Sequence, residues 1–141
     1  RRLLAQTALQ LIADGKNQKA INILKKADVE IPAYNVTLDY MSGGLDMARG
    51  WLLTGQKAKG KEYVEAVWKN AHQYLDYYLS LPNDRFLQSQ NDCIRQIMIM
   101  QSVCDVAGMV SPQLQKSYEK QLNALYTLYR GRGGSMPKGN Q

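Results

Sequence analysis

Spacings of three and four residues between apolar side chains recur along almost the whole 141-residue chain. This period places apolar residues on one face of an α-helix, whereas the alternation typical of strands is scarce. Gly, Pro and Asn residues interrupt the pattern at intervals that would end helices. With 45% hydrophobic and 21% charged residues, the composition is that of one ordinary globular domain. The sequence therefore predicts an all-α protein.

The first two predicted helices form a hairpin. Their apolar stripes consist of Leu4, Ala8, Leu11 and Ile12 in the first helix, and of Ala20, Ile23, Leu24 and Ala27 in the second. The first stripe stops at Asp14-Gly15 and the second stops before Pro32, where helices are expected to end.

A third helix is expected after a connector over residues 33–37, with Asn35 or Thr37 as its N-cap. It ends at Thr54-Gly55, and its apolar positions are Leu45, Ala48 and Leu52. Gly43-Gly44 falls inside this predicted helix, where each glycine costs about 1 kcal/mol relative to Ala. We expect this pair to allow the close approach of a neighbouring helix.

Two longer helices are predicted next. The fourth runs from about Ala58 to Leu79, and its apolar face consists of Val64, Val67, Ala71, Tyr74 and Tyr78. The fifth follows Pro82, with Asn83 or Asp84 as its cap, and is expected to end at Gly108. Its apolar positions include Phe86, Cys93, Ile97, Met100, Cys104 and Ala107.

Ser111 and Pro112 predict the start of a sixth helix, because the hydroxyl can accept from an exposed backbone N–H and the fixed φ of proline suits the first turn. This helix presents Tyr118, Leu122, Leu125 and Tyr129. Beyond Gly131 there is almost nothing to bury. The sequence therefore predicts a helical domain over residues 1–131 and a flexible tail over residues 132–141.

Residues 40 positions apart match in character. The pairs are Ala8 with Ala48, Ile12 with Leu52, Gly15 with Gly55, Ala20 with Gly60, and Leu24 with Val64. In each pair, a small residue matches a small residue or an apolar residue matches an apolar residue. Helices of a hairpin cross closely where small side chains meet, and a glycine lets the chain reverse between them.

The repeated unit resembles a tetratricopeptide repeat. In the first hairpin the residues at the spacings of that motif are Ala8, Gly15, Ala20, Leu24, Ala27 and Pro32. The second copy departs from the motif, because Gly60 replaces the small Ala, His72 stands where the closing Pro would be, and the period is 40 rather than the typical 34. The third pair, around Gly108, keeps little beyond helix, glycine, helix. The resemblance implies three antiparallel helix hairpins stacked as a short right-handed superhelix.

A wider series of short motifs adds a second resemblance. The motifs are Asp14-Gly15-Lys16, Ala20-Ile21, Ile31-Pro32, Asn35-Val36, Asp39-Tyr40, Gln73-Tyr74-Leu75 and Tyr78-Leu79-Ser80-Leu81. The series is similar to the C-terminal tetratricopeptide-like region of large bacterial multi-pass membrane proteins related to protein O-mannosyltransferases. The resemblance implies a non-catalytic interaction or accessory domain, facing the periplasm or the cytoplasm, of a protein whose membrane portion carries the glycosyl transfer.

The chain begins at Arg1 rather than Met, and we expect it to be a piece of a longer protein. Its uninterrupted apolar stretches, such as residues 97–100, fall short of the roughly 18 to 20 residues that a bilayer span needs. We therefore expect this piece to be soluble, although the resemblance implies a parent protein that spans the inner membrane.

The charge pattern argues against nucleic-acid binding. The formal net charge is +6, but five of the 18 basic side chains lie at the two ends, which leaves 13 basic against 12 acidic side chains between them. A nucleic-acid binder is expected to carry its positive charge on one folded face. Arg130-Gly131-Arg132-Gly133-Gly134 faintly resembles an RNA-binding Arg-Gly segment, so nucleic-acid binding is kept as the last of three hypotheses.

No catalytic or metal constellation is predicted, and we expect no cofactor. His72 is the only histidine, so a histidine metal cluster or a His-centred relay cannot be completed. Cys93 and Cys104 lie about 16 Å apart along one predicted helix, too far for a disulfide, and are expected to be buried and inert. Asp39 and Asp46 could share a helix face as a carboxylate pair, but a solvated face is the stronger interpretation.

Aromatic side chains supply the second hypothesis, an acceptor-binding part of a membrane glycosyltransferase. The residues that could stack on sugars or bases are Trp51, Trp68, Tyr74, Tyr77 and Tyr78. Their helical spacing favours core packing instead. Self-association through the Tyr-rich faces stays open.

The first hypothesis is binding of a protein or peptide on a concave face lined by the first helix of each hairpin. Carried over from the tetratricopeptide resemblance, the groove residues are Gln6, Leu9, Asp46, Arg49, Arg95 and Ser102. Arg49 and Arg95 would anchor a carboxylate or an acidic ligand, because a guanidinium offers paired donors. The alternative is that both arginines are solvated or held in local ion pairs.

Overall fold

The fold is known from a computed structural model that describes residues 1–136, and in that range it contains seven α-helices and no strand. The helices are α1 (Arg2–Ala13), α2 (Asn17–Glu30), α3 (Gly44–Leu53), α4 (Lys57–Leu79), α5 (Asn83–Gln88), α6 (Gln90–Val110) and α7 (Pro112–Gly131). The prediction of an all-α protein is confirmed.

The turns after α1 and α3 have the same geometry. Gly15 and Gly55 have φ angles of +76° and +81°, a left-handed conformation that other residues adopt only at a cost. In each turn the glycine N–H donates three residues back and the next N–H donates five residues back, with Lys16 to Leu11 and Gln56 to Trp51 both at 2.8 Å. This pair of backbone hydrogen bonds is a Schellman motif. The 40-residue match in sequence is therefore also a match in backbone structure at the turns.

The helices of the first hairpin lie antiparallel. α1 packs against α2, and the side chain of Arg1, just before α1, donates to the carbonyl of Ile31, just after α2, at 2.9 Å. Ala8 and Ala20 are fully buried. Small residues at these positions let the two backbones approach closely, as expected from the sequence.

The second hairpin has Gly60 where the first has Ala20. A Cβ on Gly60, near the start of α4, would lie 2.4 Å from Cγ of Leu52, near the end of α3. A Cβ on Gly44, at the start of α3, would lie 2.8 Å from Cγ2 of Val67, further along α4. These two contacts make α3 and α4 antiparallel.

The predicted start of the third helix was wrong. α3 begins at Gly44, and its N-cap is Gly43 rather than Asn35 or Thr37. Gly43 has φ +88°, so it cannot belong to the helix. The expected close approach is confirmed, since a Cβ on Gly43 would lie 2.5 Å from Cα of Arg2.

The predicted fifth helix is two helices. Ser89 ends the short α5, is buried, and donates through Oγ to the carbonyl of Phe86 at 2.9 Å. Pro82 precedes α5, and neither Asn83 nor Asp84 caps it with a side-chain hydrogen bond. The short helix sets Phe86 fully inside the core before the chain turns into α6.

α6 does not end at Gly108, as the sequence suggested, but continues to Val110. Ser111 is extended, with φ −163° and ψ 151°, because a following proline disfavours helical geometry. The predicted cap of the last helix is confirmed: Ser111 Oγ accepts from the N–H of Leu114 at 3.1 Å.

α6 is the central helix of the fold. It packs against α3, α4, α5 and α7. Within the described residues it is the helix long and apolar enough for a bilayer span, but half of its 18-residue window is buried against the other helices. The composition that would suit a membrane therefore serves here to fill a core contacted from several sides.

The buried stripe of α4 differs from the predicted face near the end of the helix. Tyr74 is exposed and Tyr78 is only partly buried, whereas Leu75 is fully buried. The buried positions continue from Val67 in steps of four, and such a row slants around the helix and leaves Tyr74 outside.

Residues 132–136 follow the predicted end of the helical domain at residue 131, but they pack against its helices. Arg132 donates to the carbonyl of Leu79 at 2.6 Å and to Oδ1 of Asn83 at 2.9 Å, and its guanidinium lies 4.4 Å from the ring centroid of Phe86. The hydroxyl of Tyr129 donates to the carbonyl of Ser135 at 2.8 Å. These contacts join the first part of the predicted tail to α4, α5 and α7. Residues 137–141 of that tail lie outside the described residues.

Candidate ligand-binding cleft

A cleft of about 580 Å³ lies between α6 and the irregular segment that precedes α3. Tyr40 and Met41 form one wall, and residues 94–105 of α6 form the other. The lining residues of α6 include Arg95, Met98, Ser102 and Asp105. The cleft is open to solvent and is bordered by both apolar and charged side chains, as ligand sites commonly are.

The guanidinium of Arg1 holds the irregular wall in place. It donates to the carbonyls of Ile31, Val36 and Thr37 at 2.9, 2.5 and 2.8 Å, and to Oγ of Ser42 at 2.9 Å. One side chain therefore ties together both ends of residues 31–42. Because five N–H donors in a fixed plane suit several carbonyls at once, arginine is fitted to this role as lysine is not.

Local hydrogen bonds and one apolar anchor complete this wall. Asp39 Oδ1 accepts from the N–H of Ser42 at 2.7 Å, and Ser42 Oγ donates to the carbonyl of Thr37 at 2.7 Å. Leu38 is buried in the core. Tyr40 and Met41 are thereby presented at the tip of the segment, and both are exposed.

The α6 wall follows from how that helix is packed. Its buried face, which includes Ile97, Met100 and Val103, is fully enclosed by the fold. The opposite stripe contains Arg95 and Met98, three residues apart, which are exposed. Further along the stripe, Ser102 donates to the carbonyl of Met98 at 3.2 Å, so its hydroxyl is turned back onto the helix.

The two ends of this stripe carry opposite charges. Arg95 and Asp105 are exposed, and among the residues that the structure describes neither forms a salt bridge. Arg49 differs, because it pairs with Asp46 one turn earlier on α3 at 3.1 Å. The alternative was that both arginines are solvated or held in local ion pairs. Arg49 is held in a local ion pair, and Arg95 is exposed to solvent.

The structure brings two of the six sequence-predicted groove residues into the cleft. Arg95 and Ser102 line it. Asp46 lies instead at a small pocket with Arg2 and Tyr40. The other three, Gln6, Leu9 and Arg49, are not among the residues lining the cleft.

Sequence reasoning missed the other cleft residues. Tyr40 and Met41 lie in a segment without periodicity, so no sequence signal placed them opposite α6. Met98 and Asp105 were detectable, because they stand three residues from Arg95 and Ser102 respectively and must share their helix face.

A polar cluster links α2 to α4 on another side of the molecule. Asp28 accepts from the hydroxyl of Tyr63 and, at 2.9 Å, from Nζ of Lys59. Burial raises the pKa of Asp28, but the hydrogen bonds from Tyr63 and Lys59 outweigh it and hold that pKa below its ordinary value. Burial and the bond to Asp28 raise the pKa of Tyr63. These hydrogen bonds join α2 to α4.

The two thiols are buried in the fold, and the histidine is paired with a carboxylate. Cys93 and Cys104 are buried and free. Burial raises the pKa of both thiols, that of Cys104 to about 11, which disfavours the reactive thiolate. His72 pairs with Asp76 at 2.8 Å. The described residues hold no group of three potential metal ligands.

The aromatic residues divide between core and surface. Trp51 and Trp68 are buried, and Trp68 stacks on Tyr118 with ring centroids 4.0 Å apart. The expectation of core packing is confirmed for these residues. It is wrong for Tyr74 and Tyr77, which are exposed on α4. Asp39 precedes α3, so Asp39 and Asp46 do not share a helix face.

No model of a known protein family, no curated protein and no solved structure matches this chain.

Proposed function

We propose that the chain is a non-catalytic protein-interaction domain whose α6 cleft receives a protein or peptide ligand bearing a carboxylate. The observation that carries the proposal is Arg95, a cation without a salt bridge in the described structure, set beside exposed apolar side chains in the cleft. A guanidinium in such a place can donate two parallel hydrogen bonds to a ligand carboxylate. Met98 and Met41 would cover apolar parts of the same ligand.

The arrangement of the helices supports a tetratricopeptide-like stack within this proposal. α1/α2, α3/α4 and α6/α7 form successive packed pairs, and α1 packs on α3, which packs on α6. In a stack of this type the first helices of the pairs line the binding face. On the resemblance set out above, the domain would serve as an accessory part of a larger bacterial membrane protein related to O-mannosyltransferases.

The test starts from a random peptide library displayed on phage and panned against the purified chain. We expect enriched peptides to carry Asp, Glu or a free C-terminal carboxylate next to apolar residues. Arg95→Ala should weaken binding of a selected peptide about tenfold, as loss of a charge-assisted bond does. Arg85→Ala is the matched control, because Arg85 is exposed on α5 and lies outside the cleft.

A second variant tests the apolar part of the cleft independently of the charge of Arg95. Met98→Asp places a carboxylate in the apolar part of the cleft and should weaken binding at least as much as Arg95→Ala. Circular dichroism of each variant checks that the helices are intact. Selected peptides that bind both variants as tightly as the parent chain would show that the cleft is not the binding site.

A further inference from the structure

The exposed stripe of α6 is nearly symmetric about its own centre. Arg95, Met98, Ser102 and Asp105 are spaced by three, four and three residues, the spacing of a seam between two packed helices. The charged residues stand five positions on either side of residue 100, and the two central residues stand two positions on either side. Arg95 and Asp105 are therefore separated by about 15 Å along the helix, with opposite charges at the two ends.

From this symmetry we infer that the protein ligand of the cleft is a second copy of the same chain. The two α6 helices would cross antiparallel at residue 100, with Arg95 of each copy beside Asp105 of the other. This inference rests on the proposed function, since it names the partner of the same cleft. The carboxylate expected opposite Arg95 is then that of Asp105.

Charge complementarity is the main argument for a second copy. In a two-fold symmetric interface, a residue that contacts another is contacted by it in return, so a single stripe must complement itself. An antiparallel crossing forms two pairs of opposite charge from groups that make no salt bridge in one chain. A parallel crossing would set Arg95 beside Arg95 and Asp105 beside Asp105, and such like-charge contacts are costly.

The uncharged part of the stripe fits the same arrangement. An antiparallel crossing sets Met98 of each copy near Ser102 of the other, so that a long flexible side chain meets a short one. Met98 is 47% exposed and Met41, on the opposite wall of the cleft, is 65% exposed. A second copy seated on the cleft would remove this apolar surface from water, which favours association.

The experiment is a charge exchange monitored by sedimentation equilibrium of the 141-residue chain. We expect the parent chain to dimerise, and Arg95→Asp or Asp105→Arg alone to raise the dimer dissociation constant at least tenfold, because each places two like-charge pairs at the seam. The double variant Arg95→Asp with Asp105→Arg restores opposite charges in both pairs. It should return the dissociation constant to within about threefold of the parent value. Arg85→Asp, away from the cleft, is the matched control and should change nothing.

Three results would overturn the inference. The first is that the unsubstituted chain stays monomeric up to about 1 mM. The second is a dimer that neither single variant weakens. The third is a double variant that stays as weak as the singles while circular dichroism shows intact helices. If the parent chain is monomeric but phage-selected peptides still depend on Arg95, the second copy is wrong and the proposed function stands. If neither dimer nor Arg95-dependent peptide is found, both fail.

Discussion

The hydroxyl of Tyr63 provides a sharp test of how α2 is held to α4. Tyr63 is 1% exposed, and its hydroxyl donates to Asp28 on the neighbouring helix. Tyr63→Phe keeps the ring and removes only the donor, so it leaves no large cavity. A hydrogen bond to a charged acceptor contributes about 1.5 to 3 kcal/mol. Because the Asp28 side chain is 32% exposed and can take up water instead, we expect the lower end, about 1.5 kcal/mol.

Urea and thermal unfolding followed by circular dichroism measure this loss. For a chain of this length, about 1.5 kcal/mol corresponds to a melting temperature lower by about 5 °C. Tyr77→Phe is the matched control, because Tyr77 is exposed on the same helix, and it should change the free energy of unfolding by less than about 0.5 kcal/mol. A double-mutant cycle with Asp28→Asn isolates the coupling between the two side chains.

The pH dependence gives this prediction a second, independent readout. The pKa of Asp28 is lowered in the folded chain, so its contribution is present above the ordinary value of 3.8 and is lost as pH falls through the lowered folded value. The difference in unfolding free energy between the parent and Tyr63→Phe should therefore shrink in acid. A difference that is absent at neutral pH, or that stays constant into strong acid, would refute the assigned hydrogen bond.

Three further predictions concern the hairpins and the core. Gly60→Ala should lower the free energy of unfolding, measured in urea, by up to about 2 kcal/mol, because the new Cβ overlaps Leu52. Adding Leu52→Ile should recover part of this loss, because it copies the Ala-Ile pair of the first hairpin. Gly55→Ala should cost about 1 to 2 kcal/mol through the left-handed φ, with Gly15→Ala costing a similar amount; a clear inequality would contradict the equivalence of the turns. Cys104, whose pKa is raised to about 11, should react with iodoacetamide at pH 8 much more slowly in the folded chain than in urea, and equal rates would contradict its burial.

The sequence predicted those parts of the fold that depend on neighbouring residues. Gly15 and Gly55 predicted their turns, because a left-handed backbone is needed where each hairpin reverses direction. Ser111 predicted the N-cap of the last helix, because a proline follows it. These signals act over four or five residues. They also led to errors where a residue that usually ends a helix lies inside one. Gly108 is such a residue: it lies inside α6, and a Cβ at this position would lie 2.9 Å from the side chain of Gln115.

The cleft could be predicted only on its helical side. The stripe of α6 follows from helical periodicity, and the tetratricopeptide resemblance placed Arg95 and Ser102 on the groove face. The opposite wall depends on Arg1, whose guanidinium bonds to groups 30 to 41 residues away. No local pattern specifies such contacts, because they arise only once α1, α2 and α3 have packed and brought Arg1 against residues 31–42.

The central position of α6 gives a reason why the proposed interaction site would lie on this helix rather than on the others. A helix contacted by α3, α4, α5 and α7 needs apolar residues over most of its circumference, and on the stripe left uncovered Met98 is an exposed apolar residue among polar ones. Such a stripe favours unspecific association unless charges restrict what can bind. In the proposed interface, Arg95 and Asp105 at the two ends of the stripe would impose that restriction, because a partner would have to present opposite charges about 15 Å apart in reverse order. The buried core and the proposed interaction surface would thus be two consequences of the same central packing.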